Sequence, residues 1–365
     1  MIEFVSTDIN ELETDCINTV ETLLERKLAR ASPLRIFILG LVSIIAQQRE
    51  LINFAANQNL LAFSSGQYLE KLGDFYGIER LPATKATTTV EVELSAARQQ
   101  PTIITAGTRI TADGKIFFAL DEDVIFAAGE TIKTCAATCL TEGESGNNYS
   151  PGEICKIVDP QSFLKSIVNI TTSELGADIE SDDSLRNRIQ LAPESFSVAG
   201  SRGAYEFWAK STSALIADVA VDSPNPGEVN VYVLMNDGGI PSTEMIDAVQ
   251  EKLSADTVRP LTDLVVIKPA QVVNYDLDVS YWVDRENAVY AADICDAAQI
   301  AVNEYVAWQK EKLGRDLNPS ELIHRLKKAG VKRVEVRSPQ FTVTDKFTVA
   351  IASSINAVFE GLEDS

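Results

Sequence analysis

Histidine is almost missing from this 365-residue chain, which has only His324. A Ser-His-Asp or Cys-His arrangement needs an imidazole beside its nucleophile. His324 stands in ELIHRLKKAG, four residues before Lys328, where a surface or half-buried helix position accounts for it. Cysteine is scarce as well. Cys16, Cys135, Cys139, Cys155 and Cys295 are odd in number and scattered, which does not read as a disulfide framework. Cys135 and Cys139 sit four apart on an expected strand, but zinc would want two further ligands and only Cys155 is near in sequence. Buried free thiols are the reading adopted. The glycines at 143, 146 and 152 are followed by no Gly-Lys-Ser/Thr, so they are turn residues, in keeping with Asn147 and Asn148. No cofactor is expected. Composition leaves room for a carboxylate pair of the glycosidase kind, since among 53 acids some pair always looks suitable, but nothing singles one out.

Positive charge is also short. Against 53 Asp and Glu there are 32 Lys and Arg, a net charge of −21. So acidic a chain is a poor binder of DNA or of anionic lipid, and no nucleic-acid partner is expected. Partners matched by charge would carry basic patches. Long apolar runs are absent too. The longest, IFILGLVSIIA at 36–46, is too short to span a bilayer and is followed by Gln47, Gln48 and Arg49, so no membrane insertion is expected. The opening MIEFVSTDINELETD is acidic where a secretory signal would be basic, which points to synthesis in a cytoplasm.

What is present is ordinary globular composition, 45% hydrophobic and 23% charged, in a chain long enough for about two to four domains. The pattern predicts an α+β multidomain protein in three regions: an N-terminal helical bundle segment (1–81), a β-rich middle domain (82–172) and a C-terminal α+β domain (173–365). In the first region Cys16, Val20, Leu23, Leu24 and Leu28 recur at helical spacing. Ser32-Pro33 then opens a second helix, in which Leu34, Ile38, Leu41, Ile45, Gln48, Ile52, Ala55 and Asn59 follow a heptad seam broken by polar side chains. Phe37, Ile44 and Leu51 widen the apolar surface beyond one seam, so this helix needs more than one neighbour. Those neighbours belong either to the same chain or to other chains. A third helix from Gln67 to Tyr76 turns Leu69, Leu72 and Phe75 or Tyr76 inward and ends at Gly77. In the middle region Val90, Val92 and Leu94 alternate with Glu91 and Glu93 as a half-buried strand does. The third region alternates strands and helices, the last helix opening at Asn318-Pro319-Ser320-Glu321 and ending at Gly330 before the strand VKRVEVR at 331–337.

Residues 174–208, ELGADIESDDSLRNRIQLAPESFSVAGSRGAYEFW, are the most specific stretch. Ser181 is placed to cap a helix, with Asp182 and Asp183 against the positive end of its dipole. Leu185 and Ile189 share one face, and Arg186 and Arg188 project elsewhere, available for carboxylates. Asp178, Glu180 and Asp182 alternate like calcium ligands, yet Asp183 and Ile189 stand where an EF-hand needs glycine and glutamate, so no metal is expected. A second helix opens at Gly200-Ser201-Arg202-Gly203 and carries Tyr205 and Trp208 on one face.

This stretch resembles the signature of baseplate J-like proteins, the wedge proteins of contractile phage tails and tail-like bacteriocins. The resemblance extends to SSGQYLEKLGDFYGIER (64–80), IITAGTRITADGKIFFALDEDVIF (103–126), TEGESGNNYSPGEI (141–154), GEVNVYVLM (227–235) and VRPLTDLVVIKPA (258–270). The chain departs from the family pattern at Thr105, where proline is common, and at Gly176-Ala177, where a double glycine is usual. The resemblance implies a structural baseplate subunit and not an enzyme. In that family two copies combine with a tail protein I-like partner into a wedge, and six wedges form a ring around a hub. A small gpW- or lysozyme-like baseplate protein, a sheath initiator and the hub are further implied neighbours. The N-terminal helices would bundle with the partner through Leu34, Ile38, Leu41, Ile45, Gln48 and Ile52, and the C-terminal region would close the ring. Joints marked by glycine near residues 77 and 173–176 would suit the rigid-body motion that triggers sheath contraction. The protein would be made in a bacterial cytoplasm and end in a tail baseplate. A host-surface fibre or adhesin is the alternative, though no repeat is visible; a cell-wall hydrolase of the tail is a more distant one.

One segment runs against the overall charge. Residues 310–337 hold nine Lys and Arg and four acids, a net of +5. Nucleic acid is one reading, but no aromatics interleave. A solvated helix face is another. The third is self-complementarity, in which Lys327, Lys328 and Arg333 of one subunit meet an acidic surface of the next.

Overall fold

Three helices open the chain: α1 (Ile9–Leu24), α2 (Pro33–Gln58) and α3 (Gly66–Gly73). This is a computed structural model that describes residues 1–197, 200–236, 238–255, 258–260 and 262–364. It divides into two units, Met1–Arg80 with Leu185–Gln190, and Leu81–Ser184 with Leu191–Ser365.

In the first unit Asp8 caps α1 by accepting from the Asn10 amide at 2.8 Å. Leu12, Ile17 and Leu28 bury against Ile38, Val42 and Ala46 of α2, with Cys16 and Val20 beside them. Leu23 and Leu24, expected on this face, are exposed. Glu21 is buried instead, because its carboxylate closes the turn after the helix. It accepts from the Leu28 amide at 2.8 Å and from Lys27 Nζ at 2.6 Å. Those two bonds, Lys27's first, hold its pKa below the usual carboxylate value.

The 26-residue α2 is about 39 Å long. Its length and composition would let it cross a bilayer, which amends the expectation drawn from residues 36–46 alone. Here it has protein neighbours. Arg35 pairs with Glu13 of α1 at 3.5 Å. Residues 2–6 lie along it as a strap held by side chains one turn apart. Asn57 Oδ1 accepts from the Ile2 amide at 2.9 Å and its Nδ2 donates to the Ile2 carbonyl at 2.7 Å. Asn53 accepts from the Phe4 and Val5 amides and donates to the Val5 carbonyl at 2.8 Å. Arg49 donates to the Ser6 carbonyl at 2.9 Å. These side chains supply the bonds a neighbouring strand would have given.

After α3 the chain tightens into a 3₁₀ turn, Asp74–Tyr76, and reverses at Gly77 with φ 66°. The tighter winding turns Phe75 and Tyr76 outward, contrary to expectation, and Ile78 takes the buried place. Gly73 permits this, since a Cβ there would lie 2.6 Å from the Ile78 carbonyl oxygen.

The second unit begins with β1 (Lys85–Leu94), β2 (Thr102–Ile104), β3 (Arg109–Thr111), β4 (Phe117–Leu120), β5 (Val124–Phe126), β6 (Ile132–Glu142), β7 (Lys156–Ile157) and β8 (Leu164–Asn169). Six of them form an antiparallel sheet in the order β7-β3-β4-β6-β1-β8, and β2 pairs with β5. Val90, Val92, Ile110, Phe118, Phe126 and Ile167 fill its core. Cys135 and Cys139 are buried free thiols in it, but Cys155 is exposed and Cys16 and Cys295 are half-buried, so the expectation of burial holds for two of the five. Asn169 ties the irregular stretch 149–154 down. Its Oδ1 accepts from the Gly152 and Ile154 amides at 3.1 and 2.8 Å, and its Nδ2 donates to the Ser150 and Thr171 carbonyls at 2.9 Å.

Next come α4 (Asp182–Leu191), α5 (Arg202–Lys210), β9 (Ile216–Asp222), β10 (Glu228–Met235), α6 (Thr243–Ser254) and β11 (Leu264–Pro269). The Ser181 hydroxyl caps α4 by accepting from the Ser184 amide at 3.2 Å, and Ser201 caps α5. Val198 and Ala199 of the signature lie outside the described residues. The helix α6 crosses between the parallel strands β10 and β11, and β9 pairs antiparallel on the other side. Val231, Val233, Val249, Leu253 and Tyr205 pack its core.

The chain closes with β12 (Gln271–Asp284), α7 (Ala291–Lys310), α8 (Pro319–Lys328), β13 (Arg333–Ser338) and β14 (Thr348–Glu363), in the strand order β13-β12-β14. Asn318 caps α8, its Oδ1 accepting from the Ser320 amide at 3.0 Å, while Glu321 takes Arg325 instead of completing a capping box. The strand β14 was not foreseen. It is rich in small residues, and register shifts at Tyr275/Asp276 and Tyr281/Trp282 break the alternation that would have marked it. The fold is therefore α+β and multidomain, helical at the N-terminus, β-rich in the middle and mixed at the C-terminus.

Asn169→Leu removes the side-chain partner of the Gly152 and Ile154 amides and of the Ser150 and Thr171 carbonyls. We expect a loss of about 3 kcal/mol or more in chemical denaturation; a change within about 0.5 kcal/mol, the size of an ordinary surface substitution, would show that the loop 149–154 does not depend on this amide.

Candidate functional site

The first candidate surface lies on α2. Its own chain covers one side of the helix, along Ile38, Val42 and Ala46. Ile38, 5% exposed, therefore serves the internal hairpin and is withdrawn from the expected partner contacts. Leu34, Leu41, Ile45 and Ile52 are exposed, as are Phe37, Ile44 and Leu51, and Gln48 lies among them. Leu34, Phe37, Leu41, Ile44, Gln48 and Leu51 follow steps of three and four, so the uncovered seam is the expected one rotated toward Phe37. Asn59 does not interrupt that seam. It ends the helix, its Nδ2 donating to the Ala55 carbonyl at 2.9 Å.

The signature helix α4 serves the same unit through Leu185–Gln190. Leu185 and Ile189, expected on one face, are both buried. Arg186 donates to the Leu61 and Ser64 carbonyls at 2.9 and 2.8 Å, and Arg188, also buried, donates to the Glu79 carbonyl at 2.7 Å. Backbone carbonyls beyond the ends of α2 and α3, rather than only carboxylates, are thus what these arginines address.

The basic segment looks different once its neighbours are in place. Arg333 bonds Glu363 at 2.9 Å and stacks 3.4 Å over Trp282. Arg337 bonds Asp278 at 2.7 Å and Lys332 pairs with Asp284 at 3.3 Å. Arg315 lies 4.0 Å over Trp308, and burial pushes its guanidinium pKa down. Lys327 donates to the Lys332 carbonyl, and Lys328 is exposed. Arg333 is therefore used within the chain, which leaves Lys327 and Lys328 as the outward charges of the three named. Acids distant in sequence offset much of the excess counted along the segment.

His324 is exposed on α8. Among the described residues no group of three or more His, Cys, Asp or Glu is placed to hold a metal.

Three consecutive segments match models of one family. Residues 89–176 match the Baseplate J-like protein barrel domain, 197–269 the Baseplate J-like central domain and 275–358 the Baseplate J-like protein C-terminal domain. The chain belongs to the baseplate J-like family. It is 35% identical to baseplate protein J of Escherichia phage P2 over 162 residues, 44% of this chain and 53% of that protein. It is 28% identical to baseplate protein gp47 of Escherichia phage Mu over 245 residues, 66% of each. The matches thus span from about half to just under two thirds of these relatives. Among solved structures, the six-fold symmetrised cryo-EM baseplate of the anti-feeding prophage (AFP) covers 94% of this chain and 90% of its own at TM-score 0.42 and 12% identity.

The six-stranded antiparallel sheet overlaps the barrel match, the β9–β11 sheet with α6 falls in the central match, and the β12–β14 sheet overlaps the C-terminal match and extends a few residues beyond it at each end. The exposed seam on α2 precedes all three segments of this baseplate J-like chain. Sequence periodicity found the apolar surface of α2 but not which edge α1 would take. The signal was the pair Val42 and Ala46, which with Ile38 makes a four-step stripe distinct from the heptad.

Substituting Lys327→Glu with Lys328→Glu, and leaving Arg333 intact, separates surface charge from internal packing. If a basic face guides association, self-assembly measured by light scattering should weaken and lose part of its salt dependence. Unchanged assembly and salt dependence would remove these lysines from any interface.

Proposed function

We propose that this chain is a structural wedge subunit in the baseplate of a contractile phage tail or related contractile injection particle. The uncovered seam on α2 carries this reading. Monomeric soluble proteins rarely leave a contiguous apolar band of this kind in water, and helices with a heptad repeat bury it against other helices. Family membership supports the baseplate setting, and the named relatives are baseplate proteins of phages P2 and Mu.

In this reading residues 1–81 form the assembly helices, 82–172 a β-rich spacer and 173–365 the part that meets neighbouring wedges. Two copies join a tail protein I-like partner, and six such wedges ring a hub, with a small gpW- or lysozyme-like protein and a sheath initiator nearby. Leu34, Leu41, Ile45, Gln48 and Ile52, together with Phe37, Ile44 and Leu51, are the contacts. The subunit works by binding and by rearranging, not by catalysis, with joints near residues 77 and 173–176.

The test is the double substitution Leu41→Lys with Leu51→Lys, both on the exposed seam. Two charges there are harmless in water but costly once buried, so co-purification with sister and tail-protein-I-like subunits should fall about tenfold or more. Circular dichroism should be unchanged. Undiminished assembly with an intact fold would sink the proposal.

A further inference from the structure

Strand β14 stands at the edge of its sheet. It pairs with β12 on one side, and among the described residues no strand pairs with the other. An open edge is a row of unmet amide and carbonyl groups, and proteins blunt it with charge, proline or brevity. The other edges here are blunted in that way. On the far side of the same sheet β13 carries Arg333, Glu335 and Arg337 and runs into Pro339. The edge strands β8, β9 and β11 hold Lys165, Asp218 with Asp222, and Lys268 with Pro269. Strands β2, β5 and β7 have only two or three residues each.

Strand β14 has 16 residues. Its pairing skips Ser353 and Glu360, and between these bulges residues 354–359 stand opposite residues 276–281 without a break. That window reads SINAVF and holds no charge, proline or glycine. The bulges thus frame a regular open edge about 20 Å long. Alternation puts Ile355, Ala357 and Phe359 on the face that α7 covers, in rows with Leu277, Val279 and Tyr281 of β12. The three β12 residues are buried, whereas Ile355 is 47% exposed and Phe359 39% exposed. Burial on this face therefore stops one strand short of the apolar side chains. On the opposite face Ser354 and Asn356 already donate to Asp276 and Asp278, at 2.6 and 3.0 Å.

We propose that this edge pairs antiparallel with the same edge of a second copy, about a two-fold axis at Ala357, so that two three-stranded sheets become one of six. The pattern of the window selects this occupant. An axis perpendicular to the sheet keeps both α7 helices on one face, and side chains of that face meet only if the axis passes through a residue. Centred on Ala357, it sets Ile355 of each copy opposite Phe359 of the other, an aliphatic–aromatic pair on either side of two small alanines. The pairing stands on this strand alone. Under the wedge reading it names the contact through which residues 173–365 meet a neighbouring copy.

Sedimentation of the full chain tests it. Ile355→Lys and Phe359→Glu should each weaken self-association about tenfold, because two symmetric pairs are lost at once. Combined in one chain, they set opposite charges across the axis and should recover most of that loss. The two positions lie four residues apart on one strand, about 13 Å, so the recovery needs a second copy. Cross-linking reads the same contact independently. In a Cys155→Ser background, Ala357→Cys should form a covalent dimer under mild oxidation about tenfold more than Ile355→Cys, whose copies stand about 13 Å apart across the axis. Both measurements are repeated with Leu41→Lys and Leu51→Lys, so that failure at β14 is read apart from failure at the α2 seam. A monomeric unsubstituted chain, a double variant no tighter than either single one, or equal cross-linking at 355 and 357 would overturn the pairing.

Discussion

A helix that is apolar on more than one side has to be covered from more than one side, and α2 is such a helix. One flank is taken by α1, and residues 2–6 occupy another through Asn53 and Asn57. The third is left to solvent in the isolated chain. Removing apolar area from water is worth roughly 25 cal/mol per Å², so the remaining band is a standing drive toward association. The charge of −21 acts in the opposite sense, keeping copies apart until a surface of matching shape presents itself.

Much of the irregular backbone is held by side chains that imitate backbone. Asn57 both accepts from and donates to Ile2, as a neighbouring strand would. Asn147 does the same for Gly176, at 2.9 and 2.7 Å, and Asn169 holds the turn at 149–154. Arg186 and Arg188 take carbonyls where helices run out. Each amide or guanidinium fixes a connection without adding a secondary-structure element, so the clusters packed around Val92, Val231 and Leu277 keep cores of their own.

Periodicity revealed what local physics decides. The strand Lys85–Leu94 alternates as its burial requires, and the caps at Ser181, Ser201 and Asn318 sit where small polar residues precede helices. Choices among equivalent apolar faces were not legible. Leu23 and Ile38 read alike in one dimension, yet only Ile38 meets a neighbour. Glu21 was hidden for a related reason, since an acid in the core makes sense only once the Leu28 amide is seen turning back to it. The strand Thr348–Glu363 was missed because its pairing with β12 shifts register twice. On the candidate surface the residue types were readable, whereas the internal commitments of Ile38 and Arg333 depended on Val42, Glu363 and Trp282, which pattern alone does not bring together.

The first unit is interrupted in sequence: Met1–Arg80 is completed by Leu185–Gln190. During synthesis the amino-terminal helices therefore leave the ribosome well before Arg186 and Arg188 exist to take the carbonyls of Leu61, Ser64 and Glu79. The chain must make everything between before that helical unit can close. A fragment ending at residue 80 keeps the α1–α2 core but lacks the two arginines that tie down its connections.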